Sequence, residues 1–80
     1  MSVKDAVVDR FQKICSERQI TLNELAYLSG VTPSTVYSMM APHRREVSIS
    51  TIKKLCDSLG ITLAEFFDEE HFSNLEQEIQ

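Results

Sequence analysis

Between Pro33 and Arg45 the chain gathers side chains suited to holding another molecule by hydrogen bonds and charge, not to making or breaking bonds within it. Ser34, Thr35 and Ser38 carry hydroxyls that donate or accept, Tyr37 adds a phenol on a flat ring, and His43, Arg44 and Arg45 follow as a basic group. Hydroxyls discriminate polar edges weakly, whereas guanidinium groups match the geometry of phosphate oxygens. Nothing in the sequence resembles a catalytic set. It offers no nucleophile and base at an interpretable spacing and no glycine-rich phosphate loop, so an enzyme is not expected. Cys15 and Cys56, 41 positions apart among apolar neighbours, read as small buried hydrophobes, and His43 and His71 supply no close pair for a metal. No cofactor is implied.

The elements that must position those residues are marked by helix starts and stops. Thr21 followed by Glu24 is a capping-box signature, so a helix is expected over Leu22–Ser29. Gly30 can adopt the left-handed backbone that ends it, and Thr32 with Pro33 starts another helix, expected to run to Met40. Two short helices meeting across so tight a turn have the layout of a DNA-binding helix-turn-helix, whose second helix enters the major groove. With Val36, Met39 and Met40 turned inward, Pro33, Ser34, Tyr37 and Ser38 point outward and become the candidate base readers. None is an Arg, Asn or Gln able to grip a base edge bidentately, so modest intrinsic specificity is expected, with Tyr37 as the largest contact.

Apolar residues elsewhere recur at three and four spacings without sustained alternation, which predicts an all-α chain of five helices. Ser2 with Asp5 starts the first, which carries Val7, Phe11, Ile14, Cys15 and Arg18 on one face, and Ile20 should plug the core before the second. The segment 41–47 reads as the longest loop, ending where Ser48 caps a helix with Ile49, Ile52, Leu55, Cys56 and Leu59 at core spacing. That helix stops at Gly60. Thr62 and Glu65 form another capping box for a fifth helix, expected over 63–70 and packing Leu63, Phe66 and Phe67. The expected organisation is one domain over 1–70 and an acidic tail over 71–80, in which Ser73 with Glu76 can cap a short helix carrying Phe72, Leu75 and Ile79 on one face.

The formal charge of −4 is unevenly spread: residues 1–60 sum to +2 and residues 61–80 to −6. A mildly basic body can still present positive surface to phosphate, with strongly salt-dependent binding. No run approaches the roughly 20 apolar residues of a membrane span, and MSVKDAVVDR lacks the pattern of a secretion signal, so a cytoplasmic location is expected.

From Val7 to Phe67, in ITLNELA, SGVTPSTVY and STIKKLCDSLGITLAEFF, the chain resembles the Cro and phage-repressor type helix-turn-helix proteins, the XRE family. The resemblance implies a compact five-helix, lambda-repressor-like domain with its helix-turn-helix at helices 2 and 3. It also implies operator binding as a homodimer on double-stranded DNA, to regulate transcription, commonly by repression. His43, Arg44 and Arg45 fall in the loop from which the family commonly touches the sugar-phosphate backbone, and Asn23 and Thr35 are further candidate phosphate contacts. Leu22 stands where members often carry a phosphate-binding glutamine, and Asn23 beside it is the candidate to replace that contact in part. Cys15 and Met40 stand where members often bury an arginine and glutamate pair, and a double exchange to apolar groups predicts that the two meet in the core. The alternative is a protein-interaction module, such as an antitoxin or accessory factor with weak or lost DNA binding, which Leu22, the acidic tail and the short polar groups at 34–38 favour.

Overall fold

A computed structural model of the chain describes residues 2–43 and 46–75, with His71 described by its backbone alone. The described residues form α1 (Val3–Arg18), α2 (Leu22–Ser29), α3 (Pro33–Met40), α4 (Ile49–Leu59), α5 (Leu63–Phe67) and α6 (Glu70–Ser73), with no strand among them. Local chemistry sets most of these boundaries. Ser2 with Asp5, Thr21 with Glu24 and Thr62 with Glu65 each form reciprocal capping boxes, while Thr32 and Ser48 cap α3 and α4 with single hydroxyl acceptors. Gly30 and Gly60 close α2 and α4 at φ 69° and 72°, and Gln19 closes α1 at φ 56°, a left-handed backbone that costs a side chain free energy.

The caps orient faces that meet in one core. Val7, Phe11, Ile14 and Cys15 of α1 bury against Leu25 and Ala26 of α2, Val36 and Met39 of α3, Ile52, Leu55, Cys56 and Leu59 of α4, and Phe66 of α5. The Phe11 and Phe66 ring centroids are 4.4 Å apart. Cys15 is buried in this core and Met40 is half-buried against it.

Two expectations need correction. Ile49 is largely exposed, because as the first residue of α4 it projects beyond the layer that buries Ile52. The fifth helix stops at Phe67, not at residue 70. Asp68 leaves it and Glu69 is extended, where the Glu69 carboxylate pairs with Arg10 at 2.7 Å and Lys13 at 3.5 Å on α1. Ser73 lies at the end of α6, while Glu76, its expected capping partner, lies outside the described residues, and Phe72 packs its ring 5.0 Å from Phe67 and 6.0 Å from Phe66. Ile79 lies outside the described residues.

Long-range polar bonds converge on α1. Arg18 Nη1 donates to the Leu59 carbonyl at 2.6 Å, at the end of α4. Arg10 donates to the Phe66 and Glu65 carbonyls, at 2.9 and 3.2 Å, in the last turn of α5. Lys4 Nζ donates to the Ala41 carbonyl, where α3 ends. Each cation therefore meets the negative end of another helix, where carbonyls lack helical partners.

Candidate nucleic-acid interface

The turn between α2 and α3 is fixed by bonds that each helix makes at its own end. Gly30 N–H donates to the Tyr27 carbonyl at 3.3 Å and Val31 N–H to the Ala26 carbonyl at 3.1 Å, closing α2 in a Schellman-like turn. The Thr32 hydroxyl then accepts from Thr35 N–H at 3.3 Å, and Pro33 occupies the first helical position, where no N–H is missed. Burial of Val36 and Met39 against the core fixes which side of α3 faces out.

Pro33, Ser34, Thr35, Tyr37 and Ser38 are all exposed, with Tyr37 at 51%. The hydroxyls at the start of α3 are partly engaged: Thr35 Oγ1 lies 2.8 Å from Thr32 Oγ1, and Ser34 Oγ 3.4 Å from it. A hydroxyl in such a pair keeps acceptor capacity but has less freedom to follow a ligand. Thr35 and Ser38 line a groove between α3 and the start of α4, with Ser48 and Thr51 on the opposite wall and Glu46 on its rim. Sequence patterning singled out neither Ser48 nor Thr51 as bordering this face, although both flank the capped start of α4.

Asn23 is exposed on α2 and shares a shallow depression with Glu24, Tyr27 and Leu28. Tyr27 and Leu28 are 86% and 61% exposed, and Leu28 could not be told from a core residue by periodicity because it lies three positions after buried Leu25. Leu22 turns the other way and packs against the core. The position associated with a phosphate clamp thus contributes apolar packing. His43 is exposed in the loop after α3, and Arg44 and Arg45 lie outside the described residues.

Neither cysteine offers reactive chemistry. Burial pushes the Cys15 thiol up, offset in part by Arg18, and burial pushes the Cys56 thiol up with Asp57 adding to it, so both stay protonated at neutral pH. Among the described residues no three His, Cys, Asp or Glu side chains are grouped to hold a metal ion, and no helix is long and apolar enough to cross a membrane.

Two capped helices packed at a tight turn, the second turning its polar face to solvent, define a helix-turn-helix protein of all-α fold. The chain belongs to the Cro/C1-type HTH DNA-binding domain family, whose model matches residues 10–70. It is also similar to the chain described as "Crystal structure of the prophage Lp1 protein 11", at 30% identity and a TM-score of 0.81, with 90% of this chain and 96% of that one covered. Comparison with curated proteins returns no match.

Proposed function

We propose that this DNA-binding domain is a transcriptional regulator, acting as a repressor in the cytoplasm, that inserts α3 into the major groove as one half of a homodimer. The observation that carries the reading is the outward face of α3, where Pro33, Ser34, Tyr37 and Ser38 stand exposed on a helix anchored by Val36 and Met39. In this reading Tyr37 packs on a thymine methyl or donates to a base, and the hydroxyls of Ser34 and Ser38 bond to base edges. Asn23, Thr35 and His43 hold phosphates, joined by Arg44 and Arg45 from the loop. No enzymatic step is involved.

The test is to select bound sequences from a random duplex pool and titrate salt against the winner. A recovered palindrome, with half-sites about one helical turn apart, supports a dimeric reader. Exchanging Arg44 and Arg45 for Glu should weaken binding to all duplexes alike and lower the salt slope by about 2 per subunit. Unchanged binding by that double variant removes the loop from the interface. The Tyr27 and Leu28 patch favours a second reading, a protein-interaction module. No measurable duplex binding at low salt would select it.

A further inference from the structure

We propose that Lys4 is a positioning residue for DNA reading, which it supports by holding the C-terminal end of α3 through the Ala41 carbonyl. The inference rests on the reading of α3 as the recognition helix. Lys4 is only 5% exposed although it lies in the first turn of the first helix, and a lysine is rarely so buried without a partner. Its partner is the Ala41 carbonyl, 37 positions away in the chain.

The end of α3 needs such a partner more than its neighbours do. α2 and α4 stop at left-handed glycines, whereas α3 runs out into extended Ala41 at φ −65° and ψ 132°, with Ala41 N–H reaching back only to the Ser38 carbonyl at 3.2 Å. An ammonium at that point bonds the exposed carbonyl and offsets the negative end of the helix. Lys4, Val8, Met40 and Pro42 line one depression beside it, so the same lysine also borders the first residues of the following loop. Ser38, an exposed residue of the reading face, is bonded to the residue Lys4 holds. A shift of Ala41 is therefore a shift at the reading face.

The experiment compares Lys4→Met with Arg18→Met, which removes the analogous bond to Leu59 at the end of α4. Both variants lose a helix-end bond and some thermal stability. At a temperature where each is folded, Lys4→Met should lose roughly five- to tenfold in affinity for the selected duplex, with a smaller loss on random duplex, as when a base contact is misplaced. Arg18→Met should lose little, and Lys4→Arg should recover most of the loss. Amide exchange at Met39, Met40 and Ala41 should quicken in Lys4→Met and not in Arg18→Met. Equal losses of affinity in the two Met variants, or unchanged exchange at the end of α3, would overturn the proposal. If the parent protein binds no duplex, the DNA reading fails by itself, and the exchange measurement still decides whether Lys4 holds α3.

Discussion

Leu22 departs from the role linked to its position in the motif, and Lys4 from the exposure usual for its type. Leu22 opens α2 at the position linked to a phosphate clamp, yet it packs inward, and Lys4 is a buried cation in the first turn of α1. Leu22 was legible as a departure because the surrounding motif fixes its place in the helix. Lys4 was not, because its partner is a backbone carbonyl, which has no residue type to read and lies far along the chain. Glu65 is the opposite case, a role fully announced by its spacing from Thr62. It accepts from Thr62 N–H at 2.9 Å, and this bond holds its carboxyl below the ordinary carboxylate value. Stability gained this way is complete above the unfolded-state value and drains away as pH falls through the lowered folded-state one. Glu65→Gln keeps an acceptor and loses the charge. Urea midpoints of parent and variant should therefore differ at neutral pH and converge in acid, and a constant gap across that range would assign the shift another cause.

Helices were legible where their ends are chemical. The bounds of α2 and α3 follow from Thr21, Glu24, Gly30, Thr32 and Pro33, and every cap from Ser2 to Thr62 acts within three residues of its partner. The reading failed where an end is decided by another element: α5 stops early because Glu69 turns to Arg10 and Lys13, and no local signal records that. One helix end is also poorly made. Gln19 closes α1 in the left-handed region at φ 56°, where glycine pays no steric penalty. Gln19→Gly should stabilise the protein by about 0.5–1 kcal/mol, the left-handed strain relieved less the greater freedom glycine gives the unfolded chain. Thermal melts would detect it as a gain of several degrees for a domain of this size. A loss would mean that the Gln19 side chain contributes more than its backbone costs.

Across the whole molecule, most of the positive charge is spent internally. Of eight basic residues, Lys4, Arg10 and Arg18 bond helix ends while Lys13 and Lys53 pair with Glu69 and Asp57. Lys54 is exposed and has no ion pair among the described residues. Charge counting along the sequence located a basic body but not this allocation, because it cannot tell a solvated cation from one bonded to a carbonyl. The acidic end is likewise more structural than its charge suggests, since Phe72 closes over Phe66 and Phe67. Ending the chain at Glu70 should cost about 1–2 kcal/mol by loss of that partly buried ring. A urea midpoint equal to the parent's would show the ring to be dispensable. The bonds from α1 to the ends of α3, α4 and α5 span 37, 41 and 56 positions. α1 therefore has its full set of ties only when α3, α4 and α5 are all in place, and closing loops of that length is slower than the local capping of each helix. The first helix thus acts as a clasp: loosening it would release three helix ends together, so the domain should open as one unit and not helix by helix.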